Sequence, residues 1–173
     1  MDTVISTIGY EGASIDVFLE TLTALRITLL IDVRDCPVSR KRGFSKKPLA
    51  ECLRAAGIDY VHLVGLGDPK PGRDAASAGR MEEFRRIFFA HMQEEAAQRD
   101  LRQAEVLINQ TGHACIMCYE RDPDLCHRSL VAKMLLERKP LQIKHRGIRE
   151  ALTHARNIRQ RAGVDTGQSL AAC

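Results

Sequence analysis

The chain has 173 residues, of which 45% are hydrophobic and 28% charged, with six cysteines and a formal net charge of +4. This size and balance predict one globular domain and exclude a collagen-like chain, a fully disordered chain and a membrane bundle. The cysteines are too few for a disulfide scaffold, and no apolar run approaches the ~20 residues of a membrane-spanning helix. We therefore expect a cytoplasmic protein without a signal peptide or membrane contact.

The first third of the chain alternates strand patterns with helix patterns. Thr3–Ile8 predicts a first strand, and Ser14 is a suitable N-cap for the amphipathic helix pattern that follows it. Ile27–Val33 is an apolar run without alternation, which is typical of a parallel strand buried on both faces. A further helix and a third strand are predicted over Lys47–Ala56 and Asp59–Leu63.

The next segment, Gly65–Gly79, is dense in Gly and Pro, and we predict it to be a long loop able to close over a site. The patterns after it predict two helices, a fourth strand, another helix and a final strand, over Arg80–Gln98, Leu101–Asn109, Ala114–Tyr119, Asp124–Glu137 and Leu141–His145. This alternation predicts an α/β fold: a single-domain three-layer sandwich with a mostly parallel sheet of about five strands.

A boundary is predicted near residue 147, and the charge is uneven on both sides of it. Residues 1–147 form the predicted α/β domain, and residues 148–173 a basic C-terminal helix with a frayed tail. Residues 34–47 hold six Lys or Arg against one Asp, and residues 138–161 hold eight against one Glu. Two basic segments on an otherwise acidic body favour an anionic partner, either a small molecule or a nucleic acid, although a solvated surface would give the same pattern.

Ligands of parallel sheets bind at the carboxyl ends of the strands, so the residues that follow the strands are the candidates. Cys118 and Glu120 are two apart, which in a strand places a thiol and a possible general base on one face. The predicted catalytic residues are Cys118, Glu120, Cys126 and His62. The predicted substrate-binding residues are Gly9, Tyr10, Arg34, Ser39, Arg40, His127 and Arg128.

Each assignment has a structural alternative. Cys118 is equally suited to a buried, inert position, and Arg34 to a salt bridge with Asp32 two residues earlier. Cys126 is predicted in the first turn of a helix capped by Asp122, where the helix dipole favours a thiolate by only ~0.3–1 kcal/mol. Gly9 with Gly12 permits backbone contact with phosphate or simply makes a tight turn.

Two sharper interpretations are disfavoured by spacing. Cys115 and Cys118 are three apart, so a strand points them to opposite faces and they do not form a zinc site together with Cys126 and His127. Cys36 and Arg42 have the spacing of thiol phosphatases, but Pro37 removes one of the amide donors that such a loop needs. We therefore predict no metal and no cofactor.

Several short motifs resemble the domain-of-unknown-function family numbered 488, over the span from about Val4 to His145. The matching elements are Thr7-Ile8-Gly9-Tyr10-Glu11-Gly12, Asp32-Val33-Arg34 with Ser39-Arg40, Phe44-Ser45, Tyr60-Val61-His62-Leu63, Leu66-Gly67, Cys118-Tyr119-Glu120 and Cys126-His127-Arg128. The resemblance implies a small cytoplasmic α/β protein of bacteria or archaea and carries no catalytic assignment. Its signature falls on nearly the same residues as the strand ends, and it includes neither Cys36 nor Cys115.

Our leading hypothesis is an enzyme, a thiol-dependent hydrolase or transferase, that acts on an anionic, phosphate-bearing substrate such as a nucleotide or nucleic-acid component. In it a cysteine is the nucleophile, Glu120 or His62 the acid/base, and the arginines bind the anion. The alternative is a nucleic-acid-binding module that uses residues 34–47 and 138–161, in which the cysteines only pack. A redox or metal-sensing protein is a third possibility. The sequence leaves the oligomeric state open.

Overall fold

The computed structural model describes residues 3–148. Within them five strands form β1 to β5, over Thr3–Gly9, Leu29–Asp32, Asp59–His62, Ala114–Cys118 and Leu141–Arg146. Six α-helices form α1 to α6, over Ile15–Ala24, Lys46–Ala55, Lys70–Ser77, Met81–His91, Glu95–Thr111 and His127–Arg138. The helix predicted from Ile148 to Ala162 and the tail after it fall, beyond Ile148, outside the described residues.

The five strands form one sheet in the order β3-β2-β4-β1-β5, and every pair is parallel. This confirms the predicted α/β fold. β4 is central: its last residue, Cys118, pairs with Gly9 of β1, and Met117 pairs with Asp32 of β2. The carboxyl ends of β1, β2 and β4 therefore lie side by side, and the residues that follow them share one edge of the sheet.

Helices cover both faces of the sheet, which explains the non-alternating apolar strands. Every residue of β2 and β4 is buried. Cys115 and Met117 pack on one face with apolar side chains of α1 and α2, whereas Ile116 and Cys118 pack on the other with those of α4, α5 and α6. The opposite directions of Cys115 and Cys118 follow from the two-residue period of a strand. No helix within residues 3–148 has both the length and the apolarity needed to cross a bilayer.

The predicted long loop is wrong: Gly65–Gly79 is largely helical. A short 3₁₀ turn spans Val64–Leu66, and α3 follows over Lys70–Ser77. Pro71 lies in the first turn of α3, where a helix needs no amide donor from it, so proline here starts a helix rather than excluding one. Gly79 follows the helix end with a positive φ of 74°.

The helix predicted over Arg80–Gln98 is in fact interrupted. α4 ends at His91, and α5 begins at Glu95 and runs through the predicted Leu101–Asn109 helix to Thr111. The break lets α4 and α5 each turn an apolar stripe, with Phe88 and Leu101 among its members, onto the same face of the sheet. Sequence periodicity alone missed it because apolar residues continue through the turn at Met92.

Candidate functional site

A cavity of about 620 Å³ lies at the carboxyl edge of the sheet. Residues after β1, β2 and β4 line it, α3 contributes Arg73, and His127 comes from the start of α6. Seven of the predicted site residues line this cavity: Tyr10, Arg34, Ser39, Arg40, Cys118, Glu120 and His127. The other four, Gly9, His62, Cys126 and Arg128, do not.

Cys118 and Glu120 form a hydrogen-bonded pair on the cavity wall. The Cys118 thiol donates to the Glu120 carboxylate, with 3.1 Å between Sγ and Oε2. β4 ends at Cys118, and the chain then turns so that the Glu120 carbonyl passes close above Gly9. A Cβ at Gly9 would lie 1.7 Å from that carbonyl oxygen, so only glycine permits the turn. Gly9 therefore positions Glu120 and is not itself at the cavity.

His127 lies against the same thiol. Its Nδ1 is 3.8 Å from Cys118 Sγ, and its Nε2 is 2.7 Å from the Val33 carbonyl oxygen, to which it donates. Burial alone would lower the pKa of His127, but contact with Cys126, the Val33 carbonyl and the charge of Glu120 outweigh burial and raise the pKa to about 9. These contacts therefore favour the protonated form of the ring, which lines the cavity.

The charge states around His127 make Glu120 the proton acceptor. Burial raises the pKa of both Cys118 and Cys126, so both are thiols at neutral pH. Burial also acts to raise the pKa of Glu120, but hydrogen bonds from Cys126 and Cys118 prevail and lower it. An ionised carboxylate thus faces a protonated thiol across a direct hydrogen bond.

Cys126 is the N-cap of α6, where the sequence predicted a helix from Asp124 capped by Asp122. Pro123–Leu125 instead forms a separate 3₁₀ turn, in which Asp122 accepts from the Asp124 amide. Cys126 is extended, and its sulfur accepts from the Arg128 amide at 3.5 Å. The helix therefore begins three residues later than predicted, and the thiol lies at its N-terminus rather than inside its first turn.

Two residues that sequence reasoning missed also line the cavity, Asp68 and Arg73. Asp68 is 3% exposed, and its Oδ1 has no hydrogen-bond partner within residues 3–148. Burial raises its pKa to about 6. Arg73 Nη1 donates to the Asp68 carbonyl at 2.6 Å and to Asp35 Oδ2 at 2.5 Å. Both lie in the segment read as a loop; the available signal was an acid directly before the proline that precedes α3.

The segment after β2 brings basic side chains to the cavity. Arg40 and Lys41 line it next to Ser39, whose hydroxyl accepts from the Lys41 amide at 3.2 Å. Within residues 3–148, neither Arg40 nor Lys41 forms an ion pair with an acidic side chain. The cavity lining therefore combines a thiol and carboxyl groups with cations that lack an acidic partner.

Three predicted site residues are engaged elsewhere. Arg34 uses all three guanidinium nitrogens: Nε and Nη2 bind Asp32 at 2.8 and 2.6 Å, and Nη1 binds the Tyr10 hydroxyl and the Phe44 carbonyl. Arg128 is 1% exposed and donates to the carbonyls of Glu120 and Arg121, which holds the turn after β4. His62 lies against the Arg34 carbonyl oxygen at 2.7 Å. These contacts make each a positioning residue.

Three side chains of types that bind metal ions lie close together around the Cys118 thiol. The ligand atoms of Cys118, Cys126 and His127 all lie within 4.8 Å of one another, and all three residues are buried. Cys115 is on the far face of the sheet, as its spacing from Cys118 predicts. The sequence argument against zinc therefore holds for the Cys115–Cys118 pair but does not apply to this different trio.

The fold and the cavity together define a single-domain α/β protein with a thiol–carboxylate pair at the carboxyl edge of a parallel sheet. A family model described as "Domain of unknown function DUF488" matches residues 14–135, and the chain belongs to that family. The matched span contains Cys118, Glu120 and His127, whereas Gly9 and Tyr10 precede it. Comparisons with curated proteins and with solved structures find no match.

Proposed function

We propose that this chain is a thiol-dependent hydrolase or transferase that acts on an anionic, phosphate-bearing substrate, a nucleotide or nucleic-acid component. One observation carries the proposal: the Cys118 thiol donates to the Glu120 carboxylate on the wall of a cavity that Arg40 and Lys41 also line. A purely structural core has no need of a thiol, an ionised carboxylate and unpaired cations around one hollow.

The chemistry follows from the three groups at the thiol. As Cys118 Sγ attacks an electrophilic carbon or phosphorus, its proton passes to Glu120, 3.1 Å away. The His127 imidazolium stabilises the developing thiolate. The bond to the leaving group breaks, and that group takes a proton from the Asp68 carboxyl, whose pKa of about 6 keeps part of it protonated near neutrality. Water or a second acceptor then gives its proton to the Asp68 carboxylate and displaces the sulfur, and Cys118 recovers its proton from Glu120.

Asp68 takes the acid role for which the sequence offered His62. Glu120 and Asp68 are both buried carboxyl groups, yet the pKa of one is lowered and that of the other raised. A pair of carboxyl groups whose pKa values are driven apart is the usual arrangement for separate base and acid roles. His62 does not line the cavity, and its Nε2 lies 2.7 Å from the Arg34 carbonyl oxygen, so we assign proton transfer to Glu120 and Asp68 instead.

We assign phosphate binding to the basic residues of the cavity. Arg40 and Lys41 have no acidic partner within the described residues, so a phosphate would supply the missing counter-charge. A cavity of about 620 Å³ is also within the range that holds a ligand the size of a nucleotide. Arg73 faces the same hollow from α3, and its contact with Asp35 is half exposed and easily exchanged for a ligand.

Protection of Cys118 from alkylation tests this assignment. Pyrophosphate or a nucleoside 5′-monophosphate should slow iodoacetamide labelling of Cys118, read by peptide mass spectrometry. Arg40→Ala should weaken that protection about tenfold, the loss expected for one charge-assisted contact. Arg42→Ala is the matched control, because Arg42 is exposed two residues away and does not line this cavity. Failure of every phosphate compound to protect Cys118, or equal losses in the two variants, would overturn the proposal.

A nucleic-acid-binding module is the second candidate, favoured by the exposure of Arg40, Arg42, Lys46 and Lys47 along one segment. Phosphate contacts of that kind predict affinity that falls steeply with salt and losses of similar size for Arg42→Ala and Lys47→Ala. Of the second basic segment, Arg138, Lys139, Lys144 and Arg146 lie within the described residues, and Arg138 pairs with Glu105. A weak salt effect with saturation by mononucleotides would exclude this candidate.

A further inference from the structure

The spacing of three buried side chains matches a tetrahedral metal ion. Zinc bonds of ~2.3 Å to sulfur and ~2.0 Å to nitrogen place neighbouring ligand atoms about 3.5–3.8 Å apart. Cys118 Sγ and His127 Nδ1 are 3.8 Å apart, and the ligand atoms of Cys118, Cys126 and His127 lie within 4.8 Å of one another. Small rotations of the side chains would close such a set around an ion without moving the backbone.

The surroundings of the three side chains are those of a ligand set. His127 donates from Nε2 to the Val33 carbonyl oxygen, which fixes the ring and turns Nδ1 toward the thiol. Metal-binding histidines are held in this way by the ring nitrogen that does not bind the metal. The Cys126 sulfur accepts from the Arg128 amide, a contact that favours its thiolate. These contacts exist independently of any reaction in the cavity.

Charge and access fit as well. A divalent cation with two thiolates and a neutral imidazole carries no net charge, so it can be buried with little desolvation cost. Cys118 and His127 line the cavity, which provides a route from solvent. The Glu120 carboxylate, 3.1 Å from Cys118 Sγ, is the group within reach of a fourth coordination position.

The geometry points to a binding site for a thiophilic divalent cation such as Zn²⁺, formed by Cys118, Cys126 and His127. Bound there, the ion takes the Cys118 thiolate and withholds it from any reaction in the cavity. The binding itself does not depend on the proposed function; only the inhibition rests on it. Soft sulfur and imidazole donors favour Zn²⁺ and Co²⁺ over Mg²⁺ or Ca²⁺.

The test is a titration of reduced, metal-depleted protein with Co²⁺, followed by Zn²⁺. We expect one Co²⁺ per chain, a thiolate-to-cobalt charge-transfer band with the visible bands of tetrahedral Co²⁺, and their loss when one equivalent of Zn²⁺ is added. Cys126→Ser should weaken Co²⁺ binding at least tenfold and reduce the charge-transfer band. Cys36→Ser, which changes an exposed free cysteine, is the matched control and should bind as the wild type does.

The Cys126→Ser variant should fold, so weaker Co²⁺ binding can be attributed to the lost sulfur. Serine is a preferred N-cap, so Cys126→Ser keeps the start of α6, and circular dichroism checks it. In the wild type, Zn²⁺ should also protect Cys118 and Cys126, but not Cys36, from alkylation. Absence of the charge-transfer band, or an unchanged Cys126→Ser titration, would overturn the metal site. Turnover is read separately: if Co²⁺ binds and no phosphate compound is turned over, the proposed function fails while the metal site stands.

Discussion

Two buried polar clusters lie at the carboxyl ends of neighbouring strands, and they differ in how far their hydrogen bonds are completed. At the end of β2, Asp32 accepts from the Arg34 amide, from Arg34 Nε and Nη2, and from the Tyr60 hydroxyl. The remaining guanidinium nitrogen, Nη1, donates to the Tyr10 hydroxyl and to the Phe44 carbonyl. Each side-chain nitrogen of Arg34 and both carboxylate oxygens of Asp32 therefore have a protein partner.

The cluster at the end of β4 is incomplete. Asp68 Oδ1 is buried and has no hydrogen-bond partner within residues 3–148. Cys118, Glu120 and His127 face the cavity, and the pKa values of all three are displaced from their ordinary values. A buried polar atom without a partner costs free energy, which a purely structural site has no reason to retain.

This difference indicates that the two clusters have different roles. The Asp32 cluster ties the segment after β2 to the sheet through the contact of Arg34 with the Phe44 carbonyl. That segment carries Ser39, Arg40 and Lys41 to the cavity. The Asp32 cluster therefore holds the basic residues at the cavity, and the cluster at the end of β4 contains the groups to which we assign the chemistry. Substitutions in the first should change stability, and substitutions in the second should change chemistry.

The largest effect is expected for Cys118→Ser. Loss of the nucleophilic sulfur should lower turnover of any phosphate-bearing substrate by about a thousandfold or more, because a neutral hydroxyl is a far weaker nucleophile than a thiolate. The free energy of unfolding in urea should change by less than about 1.5 kcal/mol, since the two side chains are nearly isosteric. Turnover within tenfold of wild type would mean that the sulfur does no chemistry.

The next effect is on stability, for Asp32→Asn. It leaves the Arg34 cation buried without its counter-charge, and breaking one side of a buried pair costs about 3–5 kcal/mol. Urea unfolding measures the loss. Asp35→Asn is the matched control: its pair with Arg73 is 40% and 42% exposed, so its removal should cost no more than about 1 kcal/mol. Equal losses in the two variants would contradict the structural role of the Asp32 cluster.

The sequence was sufficient for the sheet and for the edge that carries the cavity. The run at β4 is apolar on both faces, which is typical of a central parallel strand, and the strand-end rule then selected Cys118, Glu120 and His127 directly. The fold prediction is confirmed because it rests on local pattern and on a rule of topology, whereas the roles of these three residues remain predictions.

The sequence could not predict which side chains the fold brings together as hydrogen-bond partners. Whether Arg34 pairs with Asp32 or faces a ligand depends on where Tyr10 and Phe44 lie, and no local pattern encodes that. Arg128 likewise donates from Nη1 and Nη2 to two carbonyls of the turn after β4, while its buried Nε has no partner within residues 3–148. Asp68 was missed because proline and glycine favour both loops and helix ends, and periodicity did not distinguish them around α3.

The Asp68→Asn variant should differ from the wild type in how its stability depends on pH. Burial raises the pKa of Asp68 from 3.8 to about 6, so between these values the folded chain holds more protons than the unfolded chain. Stability of the wild type therefore falls as pH rises through that window. The variant lacks this loss and should be more stable at neutral pH by roughly 1–3 kcal/mol, with the difference vanishing below about pH 4.

Urea unfolding of both proteins across pH checks this, and turnover gives the second readout. The stabilised Asp68→Asn variant should lose most of its turnover, because an amide cannot protonate a leaving group. A variant that is both more stable and fully active would show that Asp68 is strained without being used. A variant with no pH-dependent gain would show that the carboxyl group is solvated.

The smallest effect is expected for Tyr60→Phe. Its hydroxyl donates to Asp32 Oδ2 at 2.7 Å, and burial with the charge of Asp32 raises its pKa, so it stays a donor at every accessible pH. Removing it leaves Asp32 Oδ2 with the Arg34 Nη2 contact at 2.6 Å, so the cost should be about 1 kcal/mol in urea unfolding. Tyr119→Phe, which removes a hydroxyl from a side chain that is 44% exposed, should cost less. Tyr60 does not line the cavity, so turnover in Tyr60→Phe should stay at the wild-type level. A fall in turnover at unchanged stability would show that the Asp32 cluster also takes part in the chemistry.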